Sequence, residues 1–176
     1  MDAEFAANAA ATAAIFGVFG MAWFGWAQEA PPKAWRPWLG IGSVLSLTAA
    51  VVGGIVTVRT WDEGSSVDDR TGPIFGVIVL IEVLLCAAGA IWLQRTGRAP
   101  LVPAWVALIV GLHFFPLAPL LRYPALAIWA ALVTLVAVVS VTVARRYDLT
   151  PSAVVGAGTG VTLLAGAATA LVHALT

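Results

Sequence analysis

Charged residues divide this chain into long apolar blocks. Uncharged stretches run from Phe5 to Gln28, Pro37 to Val58, Ala99 to Leu121, Tyr123 to Ala144 and Leu149 to Thr176; a sixth, Thr71 to Gln94, carries one charge, Glu82. Each block is 22 to 28 residues long. A hydrocarbon core of about 30 Å takes about 20 apolar residues at 1.5 Å per residue, so each block can cross it once as a helix. The blocks are about twice the length of a barrel strand and show no strict in-and-out alternation, which argues against strands. The pattern therefore predicts an all-α, polytopic transmembrane bundle of six helices. It forms a single integral membrane domain, 1–176, with spans near 6–27, 37–59, 73–94, 102–121, 123–145 and 150–174. Short connectors make successive helices antiparallel neighbours.

Composition supports the membrane reading. The 176 residues are 61% hydrophobic and 10% charged, against roughly 45–50% and about 25% in a soluble domain. A soluble fold of this size could not hide so much apolar surface. Nine basic and nine acidic residues cancel, so no nucleic-acid partner is expected, because phosphate binding needs a basic excess. The lipid bilayer is the expected partner, together with a homo-oligomer or a second membrane subunit, given the small size.

The basic residues orient the bundle. Lys33, Arg36, Arg95, Arg98, Arg145 and Arg146 fall in the first, third and fifth connectors, whereas the opposite side holds Arg59, Arg70 and Arg122. This bias predicts odd connectors in the cytoplasm and both termini outside. The acidic start, Asp2 and Glu4, agrees and argues against a cleaved signal peptide. Trp26, Trp35, Trp38, Trp92 and Trp105 are expected as anchors at the inner interface. The connector from Arg59 to Gly72, with Asp62, Glu63, Asp68 and Asp69, reads as a solvated outer loop.

Candidate chemistry then narrows to a few groups. Glu82 is the one carboxylate inside a span, where a charge costs at least about 2.5–3.5 kcal/mol. His113 lies mid-way along the fourth span. Glu82 is nine residues below Pro73 and His113 eight below Leu121, which places them about 13 and about 12 Å deep. The two could meet at one level, and a buried Glu–His pair can exchange a proton near physiological pH. The alternative is an interhelical hydrogen bond that only ties the bundle. Pro116 and Pro119 cannot donate to the carbonyls of Leu112 and Phe115, so the fourth helix is expected to kink or break beside the histidine.

Helical spacing adds neighbours to that site. Glu82, Cys86 and Gly89 share one face of the third span, and Thr162, Gly166, Thr169 and His173 one face of the sixth. The ligand- or proton-binding candidates are therefore Glu82, His113, Pro116, Cys86, Thr162 and Thr169. Ser43, Ser46, Ala50, Gly54 and Thr57 form a small-residue stripe on the second span, as close helix packing requires. Phe16, Phe19, Trp23 and Trp26 form an aromatic stripe on the first, below Asn8 and Thr12.

Familiar catalytic and metal patterns are missing. There is no His-Glu-x-x-His, no Cys-x-x-Cys and no aspartate-rich pair within a span. Gly156-Ala157-Gly158-Thr159-Gly160 has neither the preceding strand nor the following lysine of a phosphate loop. His113 and His173 lie at different depths, which disfavours haem. No metal and no cofactor are expected.

The segment Trp23-Phe24-Gly25-Trp26-Ala27-Gln28-Glu29-Ala30-Pro31-Pro32-Lys33 with Trp35-Arg36, and the segment Gly111 to Ala118, resemble small six-span bacterial membrane proteins without an assigned function, of an actinobacterial, GC-rich kind. The resemblance implies the fold and no activity. Eight arginines against one lysine agree with such a source, so a bacterial plasma membrane is the expected location. Three functions fit. The leading one is a small permease or channel component with a protonatable mid-membrane site. The second is a membrane enzyme acting on an isoprenoid, quinone or lipid, with Glu82 as general acid and His113 its partner. The third is a non-catalytic membrane subunit or sensor. A lipid-accessible apolar cavity at Glu82 would favour the second, and a polar path to both faces the first.

Overall fold

Six long helices account for nearly all of the chain. The computed structural model describes residues 4–176, so Asp2 lies outside the described residues. The helices are α1 (Ala6–Ala27), α2 (Arg36–Thr60), α3 (Thr71–Arg95), α4 (Val102–Leu120), α5 (Ala125–Arg146) and α6 (Pro151–Leu175). Three single-turn 3-10 segments, Lys33–Trp35, Trp61–Glu63 and Ala99–Leu101, help join them. No strand occurs among the described residues. Each of the six helices is long and apolar enough to cross a membrane, so the protein is an all-α, multi-pass bundle.

Local sequence sets the helix ends. Proline occupies the first turn of α2, α4 and α6, where its missing N–H would have had no helical partner anyway. Three helices end with a left-handed residue: Gly97 after α3, Arg122 after α4 and Asp148 after α5, at φ of 72°, 49° and 51°. In each case the next amide turns back onto the helix. Arg98 N–H donates to the Leu93 carbonyl at 2.7 Å, Tyr123 to Ala118 at 3.0 Å and Leu149 to Ala144 at 2.9 Å. These bonds satisfy carbonyls that the helix end would otherwise leave open. Arg122 is also bound to the start of the chain, its guanidinium 2.7 Å from Glu4 Oε1.

Packing is uneven around the bundle. α1 packs most extensively, against both α2 and α6. Both contacts depend on missing side chains. A Cβ on Gly17 would lie 2.5 Å from the Ala50 nitrogen of α2, and one on Gly53 would lie 2.6 Å from the Ala14 nitrogen of α1. A Cβ on Gly156 of α6 would lie 2.7 Å from the Trp23 carbonyl oxygen. The stripe on α2 is accordingly Gly42, Ser46, Ala49, Ala50 and Gly53. Gly54, expected in that stripe, faces open space; the packed face is turned by about one residue from the predicted one.

The other half of the bundle is built on α4. It packs against α5, where a Cβ on Gly111 would meet the Thr134 nitrogen at 2.7 Å, and it carries α3. α3 packs substantially against α4 alone among the long helices, and Leu93 is its single buried residue. α4 runs through Pro116 and Pro119 as one continuous helix, so the expected break does not occur. Of the expected tryptophan anchors, Trp38 and Trp92 are exposed. Trp105 also bonds to the neighbouring helix: its indole N–H donates to the Leu85 carbonyl at 2.9 Å and pins α4 to α3.

Candidate functional site

Because α3 leans on α4 and not on α1, a cavity of about 210 Å³ remains between these three helices, lined also by Leu126 of α5. Glu82 and His113 both line it. The shared face of Glu82, Cys86 and Gly89 explains how: Gly89 admits the Trp105 ring, which holds the helices together and turns Glu82 toward α4. Glu82 Oε2 stands 3.4 Å from His113 Nε2, with side chains 16% and 11% exposed respectively.

The histidine is oriented by its own helix. Its Nδ1 lies 2.6 Å from the Val110 carbonyl oxygen. A carbonyl only accepts, so Nδ1 carries a proton and Nε2 is left facing the carboxyl group. A proton on the carboxyl or on Nε2 would join the two groups, and moving it between them would leave the net charge unchanged. The His113 ring also packs on Phe114, with centroids 4.2 Å apart, and Phe114 on Phe16 of α1 at 5.1 Å.

The rest of the wall is apolar, apart from Thr12. Ile15 and Phe19 of α1 line the cavity and are also 43% and 53% exposed. The cavity therefore opens sideways, between α1 and α3, at the level of the apolar helix flanks.

Toward the end of the bundle bearing the 61–70 connector, the cavity is sealed by a polar cluster around Asn8. The Asn8 amide donates to Ser66 Oγ at 2.5 Å and to the Leu121 carbonyl at 3.1 Å. Its Oδ1 accepts from Ser65 Oγ at 3.0 Å and from the Ser66 amide at 3.4 Å. Thr12 donates to the Asn8 carbonyl at 2.8 Å, and Thr12 and Leu121 both line the cavity. One asparagine thus joins α1, the connector and the end of α4. A lone buried polar residue near a span end was the available signal for Asn8, but its partners, 58 and 113 residues away, are not legible in sequence.

The remaining sequence candidates lie elsewhere. Pro116 faces outward from α4 and Cys86 is half-buried beyond the cavity lining. Thr162 and Thr169 sit on α6 and donate to their own helix, to the Gly158 and Gly166 carbonyls. His173 lies by Tyr123 near the end of α6, ring centroids 6.4 Å apart. Among the described residues no cluster of three or more His, Cys, Asp or Glu could hold a metal ion. No protein-family model matches the chain, and neither a curated protein nor a solved structure matches it.

Proposed function

We propose that this multi-pass protein binds a lipid-soluble molecule that enters sideways from the bilayer, and offers it a proton-exchanging Glu82–His113 pair. The observation that carries the reading is the cavity itself: apolar, open between α1 and α3, and ending on the two side chains. A buried ionisable pair in a span is costly, and its usual return is function. In an enzyme Glu82 would be the general acid and His113 its partner; in a carrier or sensor the same pair would only recognise the ligand. We place the protein in a bacterial plasma membrane with the basic end cytoplasmic and both termini outside, on the six-to-three distribution of Lys and Arg.

The test is to purify the protein in a mild detergent and identify retained molecules by extraction and mass spectrometry. Wild type should retain a non-phospholipid amphiphile that Glu82→Gln loses. A preparation with no such molecule from either protein would overturn the reading.

A permease or channel component is the second reading. What favours it is the polar column Ser65, Ser66, Asn8 and Thr12, which runs from the connector to the cavity. In liposomes it requires a proton- or solute-linked flux that Glu82→Gln abolishes.

A further inference from the structure

We infer that the cavity takes the head of a prenylated quinone or quinol: an uncharged ring bearing carbonyl or hydroxyl oxygens, with its apolar tail left in the lipid. The inference rests on the reading that the site serves a lipid-soluble molecule, and names its class.

Four features select that class. The volume, about 210 Å³, is below the roughly 300–1,000 Å³ of pockets that enclose a whole drug-sized ligand. A head fits and a long chain does not. The opening lies between Ile15 and Phe19 of α1 and the flank of α3, so a tail can leave directly into lipid. At the aqueous end the Asn8 cluster bars the way, which disfavours a water-soluble ligand.

The lining selects the head. Phe16, Phe19, Phe75 and Phe114 present four aromatic rings to a small space, and a flat ring stacks or packs edge-on against them. With one proton between them, Glu82 and His113 offer one donor and one acceptor. A quinone oxygen accepts a hydrogen bond from the group that holds the proton, and a quinol hydroxyl donates one to the group that does not. A fatty acid would set a second carboxyl beside Glu82, and like charges disfavour each other. A phospholipid head needs cations, and among the described residues the cavity lining includes no Lys or Arg.

The test uses the full chain in lipid nanodiscs, with empty nanodiscs as background and radiolabelled decylubiquinone as probe. Wild type should bind it saturably, at one per chain. Glu82→Gln should weaken binding at least tenfold. Val79→Trp, which fills the cavity from α3 and leaves both dyad residues in place, should abolish it; if the Gln variant does not fold, the Trp variant decides alone. Farnesol and dodecanoic acid should compete at least tenfold less well than unlabelled decylubiquinone. Competition by farnesol equal to that by the quinone would overturn the ring class while leaving a lipid-soluble ligand in place. Absence of saturable decylubiquinone binding would overturn the quinone class, and if radiolabelled farnesol and dodecanoic acid then also fail to bind saturably, the lipid-soluble reading falls with it.

Discussion

Two regions that share α1 show opposite ways of using a membrane helix. On one flank the seam of α1 with α2 and α6 is closed by glycine and alanine, backbone against backbone. On the other, Phe16 packs on Phe114 of α4, and Phe16 and Phe19 line a cavity whose far wall is α3. In lipid no hydrophobic drive pulls helices together, so close contact depends on small residues that let backbones approach. Where large rings replace them the helices stand apart, and a polar pair is tolerated in the gap. The seam makes the fold, and the gap leaves space for chemistry.

The largest test of that contrast lies in two adjacent glycines. Gly53→Leu should abolish folded protein or cost about 3 kcal/mol or more, because even its Cβ lies 2.6 Å from the Ala14 nitrogen and neither backbone can move freely. Gly54→Ala has open space around its Cβ. It should stabilise, by up to about 1 kcal/mol, through helix propensity alone. Thermal unfolding in one detergent compares them, and equal effects would show that the seam is not closed by backbone contact.

Next in size is the closure of the cavity. Asn8→Ala removes bonds to Ser65, Ser66 and the Leu121 carbonyl and should cost about 1–3 kcal/mol, the usual loss when buried polar groups lose their partner. Hydrogen exchange should rise across 61–70 while α2 and α6 stay protected. A rise spread evenly over the bundle would mean that Asn8 supports the seam as well as the cavity.

The dyad itself should matter less to stability than its burial suggests. A double-mutant cycle of Glu82→Gln with His113→Gln should give a coupling near 0.6 kcal/mol and below about 1.7 kcal/mol, the range for interhelical polar contacts in membranes. Coupling well above that would make the pair a structural tie between α3 and α4. The non-catalytic subunit reading would then gain.

The smallest effect concerns the start of α3. Asp68 accepts from the Thr71 and Arg70 amides at 2.8 Å each and from the Thr71 hydroxyl at 3.0 Å. These bonds, the Thr71 amide first and then that of Arg70, hold its carboxyl below the usual carboxylate range. With a lowered folded pKa, the stabilisation is complete above the unfolded value and fades as pH falls through the folded one. Lowering the pH below about 4 should therefore lower the protection factors of the Arg70 and Thr71 amides, each rate referred to the free amide at the same pH, before any change at α4. Asp68→Asn should remove most of that pH dependence.

Much of the fold was legible from charge spacing, because a bilayer needs about 20 apolar residues per crossing and Arg59, Arg70, Arg95, Arg98, Arg122 and Arg145 mark where the crossings stop. The common depth of Glu82 and His113 followed from helical rise. Their approach to 3.4 Å required the two faces to turn toward each other, which Gly89 and Trp105 arrange. The sequence by itself determined six helices, their ends and the one carboxylate within a span. Only the tertiary structure decided that Gly53 and not Gly54 packs, that Trp105 bonds to α3, that α3 rests on α4 alone and that the cavity opens between α1 and α3. The physical reason is that lipid is as apolar as a protein interior. Hydrophobicity therefore marks where a helix crosses, but not which of its faces meets another helix.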